Sequence, residues 1–421
     1  MHNRDRSLLW QIRPGTRQWA MSQTSPLFSY AFRPFFLLAG SLAVLGMAQW
    51  LLAINGYPWP ANANLSTFWH AHEMALGFGG AVVAGFILTA GANWTGRPPV
   101  RGPLLAALVF SWLCGRAALL FSGALPAPLT MLLDLLFPVL FGVIATREIH
   151  GARNRRNYGV LAIAWMLSLF TLLHHAAATG LLAEEAAADL QRIVSRLFVY
   201  LLVVLITILG GRVIPGFTGT WLRMRGSTNL PGSRAGLESA IVPLTIAAGL
   251  SQSLMPANIL TAVLCISAGA AHLLRLSGWR GLATTAEPLL LVLHVAYAWL
   301  GIGLVLLGLS AAGLPLPETA ALHALTVGGI GGVILGMITR VALGHTGRPL
   351  QAARIIQLAY VLLGFSAVVR TFGPLDPGGI ALAYTGSGLL WIAAFSLFVW
   401  HYAPILTRPR ADQPNGLTKR S

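Results

Sequence analysis

The sequence predicts an all-α polytopic membrane protein with about 12 transmembrane helices. Three observations point there. Hydrophobic residues make up 56% of the 421 residues and charged residues only 10%, too few charges to cover a water-soluble domain of this length. Apolar stretches of spanning length, roughly 20 residues each, follow one another nearly end to end, with no polar linker between them. The positive charge, 28 Lys and Arg against 12 Asp and Glu, sits in alternate loops. It therefore reports membrane topology rather than nucleic-acid binding, and the expected partner is the lipid bilayer.

Hydropathy places the spans at 35–54, 68–92, 103–122, 127–147, 158–180, 190–214, 237–255, 257–276, 287–310, 318–343, 353–373 and 378–401. All are read as helices, because a backbone in lipid must satisfy its own hydrogen bonds. The segments around Arg97 and Arg101, Arg147–Arg156, Arg212–Arg234, Arg275 and Arg280, and Arg340–Arg354 are basic, as are both termini. They are assigned to the cytoplasm. The loops near Gly56, Gly123, Ser253 and Gly313 carry almost no charge, and the one around Glu184, Glu185 and Asp189 is acidic. These face outward, so both termini are expected to be cytoplasmic.

Residues 26–406 read as one transmembrane domain and 407–421 as a cytoplasmic tail. Residues 1–25 read as a basic cytoplasmic arm, broken by Pro14 and lacking the apolar core of a signal peptide. Met21, just before the first span, is the expected start, which leaves the arm untranslated. Cys114 and Cys265 lie singly in apolar stretches, so thiolate-based zinc or iron–sulfur chemistry is excluded.

The chain repeats itself. Span 2 and its exit read HEMALGFGGAVVAGFILTAGANWTGRP, and span 10 and its exit read HALTVGGIGGVILGMITRVALGHTGRP. Placing Thr95-Gly96-Arg97-Pro98 on Thr346-Gly347-Arg348-Pro349 gives an offset of 346 − 95 = 251, which also pairs His72 with His323 and Gly77 with Gly328. A weaker third copy in span 6, offset 346 − 218 = 128, puts Ser195 at the equivalent position. Spans 2, 6 and 10 are thus expected to be equivalent helices of three pseudo-repeated four-helix units.

Ionisable groups inside spans are costly and usually functional. His70, His72 and Glu73 at the start of span 2, His174 and His175 at the end of span 5, and His323 at the start of span 10 share one depth, within about 5–10 Å of the outer ends. Arg116, Asp134, Arg196 and Arg370 belong to the same outer halves. His70 and His72, two residues apart, point about 200° apart, so they serve two centres more readily than one. Imidazoles without thiolates suit haem iron, copper or zinc. The ordinary reading stands beside this one: a lone buried histidine more often hydrogen-bonds a neighbour. Glu73 is expected to orient a histidine, carry protons or pair with Arg116 or Arg196, and Asp134 to neutralise an arginine. His272, His345 and His401 are placed at the inner boundary with surface roles.

Phe32-Arg33-Pro34-Phe35-Phe36, Trp69-His70-Ala71-His72-Glu73-Met74, Asn93-Trp94-Thr95-Gly96-Arg97-Pro98, Gly210-Gly211-Arg212-Val213-Ile214-Pro215, His323-Ala324-Leu325-Thr326-Val327-Gly328 and Thr339-Arg340-Val341-Ala342-Leu343-Gly344-His345-Thr346-Gly347-Arg348-Pro349 occur in order. Together these resemble the NnrS family. The resemblance implies a bacterial inner-membrane protein with haem b and copper, associated with denitrification and with tolerance of nitric oxide and nitrosative stress. It leaves the reaction and the electron donor open: a haem-copper oxidoreductase, a non-catalytic haem or metal carrier or sensor, and a multi-helix transporter all remain. The threefold plan also resembles that of the haem-copper oxidases, a fold-level analogy that says little about reaction. On this reading His72 and His323 are expected to hold the haem. His70 then faces a second pocket, where His174 and His175 hold copper.

Reporter fusions after Gly151 and Gly226 should read cytoplasmic and fusions after Gly123 and Gly313 periplasmic. Two neighbouring fusions reading the same side would overturn the twelve-span topology.

Overall fold

The structure, a computed structural model, describes residues 25–59, 65–178 and 182–412. The expectation for the arm and for Met21 as the start lies outside the described residues, as does the tail beyond residue 412. Twelve helices are long and apolar enough to cross a membrane: α1 (Phe32–Ile54), α2 (Thr67–Thr95), α3 (Pro103–Leu120), α4 (Ala127–Ile149), α5 (Arg155–Ala177), α6 (Glu184–Met224), α7 (Ala235–Leu254), α8 (Ile259–Ser277), α9 (Pro288–Ala311), α10 (Glu318–His345), α11 (Arg354–Leu375) and α12 (Pro377–Thr407). No strand occurs among the described residues. Every expected span is present.

The largest departure is α6. Its 41 residues make a rod of about 60 Å, roughly twice the ~30 Å hydrocarbon core. The segment expected as an acidic loop is its first turns, where Glu184 and Glu185 sit favourably at the positive end of the helix dipole. Arg212 and Pro215 are likewise helical. The basic connection begins only after Met224.

Packing follows a threefold pattern. The last helix of each four-helix unit packs on the first of the next: α4 on α5, α8 on α9 and α12 on α1. The α12–α1 closure has a specific lock in the Phe-Arg-Pro-Phe-Phe motif. The buried Arg33 guanidinium donates from Nη1 to the carbonyls of Leu406 (2.9 Å) and Arg408 (2.7 Å). A cation thereby satisfies carbonyls that the end of α12 leaves without helical partners. Helices α2 and α10 are the most enclosed, with 83% and 78% of their apolar windows buried against 28–56% for the other ten. They are the inner helices of their units.

The repeat has a backbone counterpart. α2 relaxes into a π-helical segment at Glu73–Gly80 and α10 at Ala324–Gly331. These coincide at the same offset, 324 − 73 = 251 and 331 − 80 = 251, each directly after the histidine, His72 or His323. Such wide turns concentrate at functional sites. α6 stays α-helical through the equivalent stretch, so the third copy lacks both the histidine and the bulge. Paired glycines make room for bulky neighbours beside these segments. A Cβ on Gly77 would lie 2.6 Å from Arg116 Nη1, and one on Gly328 would lie 2.5 Å from the Trp299 ring.

Helices α8 and α9 approach through small residues, as membrane helices commonly do. A Cβ on Gly269 would fall 2.6 Å from the Gly301 carbonyl oxygen. Gly269→Leu should therefore force the two helices apart and cost about 1–3 kcal/mol or more, read as a lower melting temperature in detergent. Gly364→Leu, whose Cβ meets nothing within 4 Å, should leave it unchanged. Equal melting of the two variants would contradict the close α8–α9 contact.

Candidate metal centre

Four consecutive helices of alternating direction put the end of α3, the start of α4 and the end of α5 beside the start of α2. Ser66 begins α2 by accepting the Trp69 amide proton (3.3 Å), which sets the phase of the His70, His72 and Glu73 side chains. His72, Glu73, Asp134, His174 and His175 are all buried there.

Asp134 on α4 is the hub. Its Oδ2 lies 2.8 Å from His175 Nε2 and 3.1 Å from His72 Nε2. Its Oδ1 accepts from Arg116 Nη2, while Arg116 Nη1 donates to Glu73 Oε1. The His175 contact is a hydrogen bond. The His72 contact is not: despite its short distance it lacks the alignment, and neither ring nitrogen of His72 has a hydrogen-bond partner. His72, Asp134 and His175 offer ligand atoms within 4.8 Å of one another. Two ligand atoms bound to one tetrahedral ion at about 2.0 Å stand about 3.3 Å apart without pointing at each other, which is close to the His72–Asp134 geometry. His174 stands beside this group, its ring 4.4 Å from that of His72 and its Nδ1 without a partner. Phe198 of α6 closes the site edge-on against His72 at 5.9 Å.

The other flank of α2 carries a separate set. His70 stacks on Trp50 of α1, with ring centroids 4.9 Å apart and planes 14° from parallel, and its Nδ1 has no partner. Arg370 of α11 lies within electrostatic range of both His70 and His323, and His70 within range of His323. His323 Nδ1 donates to the Thr319 carbonyl oxygen at 2.6 Å. That bond puts the proton on Nδ1 and leaves the Nε2 lone pair free. Arg370 lies over the Tyr384 ring at 4.0 Å, with its Nη1 unpartnered.

The opposed directions of His70 and His72 are as expected, but their assignment is reversed. His72 faces Asp134 and the α5 histidines, and His70 is the ring on the His323 side. The reason lies in the symmetry. Residues related by rotation converge only if they point at the axis, and His72 points away from α10, toward α4 and α5. Arg196 also has a different partner from the one considered for it. It pairs with Glu318 on α10, whose Oε1 also accepts from Gln252 Nε2 (2.7 Å), while Glu73 takes Arg116. Asp134 neutralises an arginine as expected and in addition joins the ligand group.

At the opposite end of the bundle, His272 is not a surface residue. It is fully buried and bonded at both nitrogens, to Thr245 Oγ1 (3.0 Å) and the Tyr297 hydroxyl (2.8 Å). Arg275 continues this network to Tyr297, the Thr207 carbonyl and Glu238. The span's end was legible in hydropathy, but which side of α8 faces inward was not.

The fold and the site together define a twelve-span integral membrane protein with a buried His/Asp/His group able to hold a metal ion. The sequence profile of the NnrS protein family matches residues 26–410, and the chain belongs to that family. No curated protein matches it.

Arg116→Met should leave Glu73 and Asp134 as uncompensated buried carboxylates and cost about 3–5 kcal/mol. The expected readout is reduced yield and a clearly lower melting temperature. Arg116→Lys, which keeps the charge, should fall between. A variant as stable as the parent would show that the arginine does not hold the cluster together.

Proposed function

We propose that the chain is a bacterial inner-membrane protein, both termini cytoplasmic, that carries haem b and copper and binds or turns over nitric oxide. Membership of the NnrS family supports the link to the nitric oxide response. The observation that carries the reading is the division of labour on α2: a single turn presents His70 to one set of residues on one flank and His72 to another on the opposite flank.

The residues fit both groups. For haem, His70 and His323 supply the imidazoles. The Thr319 bond leaves His323 Nε2 free, as a nitrogen that would bind iron must be, and the unpartnered Arg370 Nη1 would suit a haem carboxylate. For copper, His72, His175 and Asp134 form a nitrogen-rich group, with His174 beside it. Haem and copper, if bound, would supply two redox centres able to react with the diatomic gas. The chain's own residues do the rest. Asp134 holds the His175 ring beside His72 through its contact with Nε2. Arg116 pairs with both Asp134 and Glu73, and Phe198 covers the His72 ring edge-on.

Purified protein should show a Soret band and bound copper. His323→Ala should remove or shift the haem spectrum, and His175→Ala should lower copper while sparing the haem. Asp134→Asn should weaken copper binding by about 10–100-fold, the usual effect of disturbing groups that orient a metal-bound histidine. Anaerobic nitric oxide added to reduced protein should perturb the haem spectrum. Nitrous oxide formation then marks turnover, and its absence marks a binding role. A preparation with neither haem nor copper, or a His323→Ala spectrum identical to the parent's, would sink the proposal.

A further inference from the structure

Past the histidine level, the three inner helices leave space between them. α2, α6 and α10 line a half-open apolar cavity of about 80 Å³. Gly79 and Val83 face it from α2, Leu202 and Gly210 from α6, and Val333 and Met337 from α10. All 15 residues around it are apolar or glycine. Water needs two to four polar partners to occupy such a space, whereas apolar cavities stay dry and take up noble gases and small hydrocarbons. The volume is about half that of the ~150 Å³ apolar cavity known to accept benzene or xenon. That leaves room for one or two diatomic molecules, and little for a lipid chain or a ring-bearing cofactor.

The cavity adjoins the candidate metal centre. The π segment of α2 begins with Glu73 in the polar cluster and reaches the cavity wall at Gly79, six residues and about 9 Å or less along the axis. On α6, Leu202 lines the cavity, and Phe198, one turn earlier, covers the His72 ring. A Cβ on Gly79 would stand 2.8 Å from Leu202 Cδ1, so glycine lets Leu202 nest against α2. One apolar turn of α6, from Phe198 to Leu202, is the partition between the two spaces.

We propose that this central cavity is a binding site for small apolar gas molecules, and that they pass from it to the His72 side of the metal centre between Phe198 and Leu202. The passage rests on the functional reading above; the gas site does not. A diatomic such as nitric oxide has little to lose by leaving water, so a dry cavity inside the bilayer raises its local concentration beside the centre.

Xenon is the probe for the site. Detergent-purified protein under xenon should give a saturable xenon-129 shift, and a crystal pressurised with xenon should place the atom between Val83, Gly210 and Val333. Gly210→Leu should abolish both. Its Cβ meets nothing closer than 3.4 Å, so the helix accepts the side chain, which extends into the cavity. Val333→Phe is the second filling variant should the first express poorly. With haem and copper loaded, either variant should slow nitric oxide binding several-fold by stopped flow, with the melting temperature kept. Xenon absent from the cavity, or a lipid chain found lying in it, overturns the gas site. Xenon bound in the parent with nitric oxide binding equally fast in both filled variants overturns the passage. Xenon bound in a protein that never takes up nitric oxide leaves the cavity standing and removes the functional reading instead.

Discussion

One guanidinium placed among carboxylates inside an apolar bundle constrains everything around it. An ionised side chain near lipid is tolerated only when paired and hydrogen-bonded. Arg116 meets that condition by bridging Glu73 on α2 and Asp134 on α4, and so ties three helices to one another at one depth. With one Asp134 oxygen held by the arginine, the other is left for His72 and His175. Gly77 and Gly115 are small because this network is close. A Cβ at the first would strike the arginine, and one at the second would lie 2.9 Å from Asp134 Oδ1. The candidate metal group is thus a by-product of charge pairing as much as of its own ligands.

The π segments explain how a single helix can serve several purposes. A regular α-helix would carry its side chains past the centre at 100° per residue. The wider turn at Glu73–Gly80 resets that phase just after His72, so the polar turn above it and the apolar turns below can face different neighbours. α10 does the same directly after His323. α6 has no bulge and no histidine there, yet it supplies the apolar wall, Phe198 and Leu202, against which the first set is closed. Two members of the repeat carry a histidine followed by a wide turn, and the third supplies apolar enclosure.

Much of this was legible in the sequence, and the parts that were not share a cause. The twelve spans follow from hydropathy because length and apolarity are properties of a segment by itself. The equivalence of α2 and α10 follows from matching residues, and the opposed directions of His70 and His72 from helix geometry. What depends on the rotation of a helix about its own axis could not be read. Hydropathy is blind to that angle, and the apolar faces of membrane helices differ little between lipid and protein. Hence spacing alone pairs His72 with His323 where the fold sets it beside Asp134, leaves Glu73 a choice of Arg116 or Arg196 where it takes Arg116, and puts His272 at a surface when it is fully buried. The length of α6 escaped for a different reason, since its polar first turns look like loop to any hydropathy window.

The same angle decides what α2 can contribute. Its first turns meet α1 on one flank, through the His70–Trp50 stack, and α4 and α5 on the other, through His72. Its later turns meet α6 and α10 across an apolar gap. A helix at the perimeter of the bundle would have one of these faces in lipid, where an unpaired imidazole is costly and a cavity cannot exist. Only an inner helix, enclosed on every side as α2 is, can present a ligand to each of two neighbouring units and still keep its remaining length dry. The enclosure therefore follows from the threefold packing, and the chemistry available to His70 and His72 follows from the enclosure.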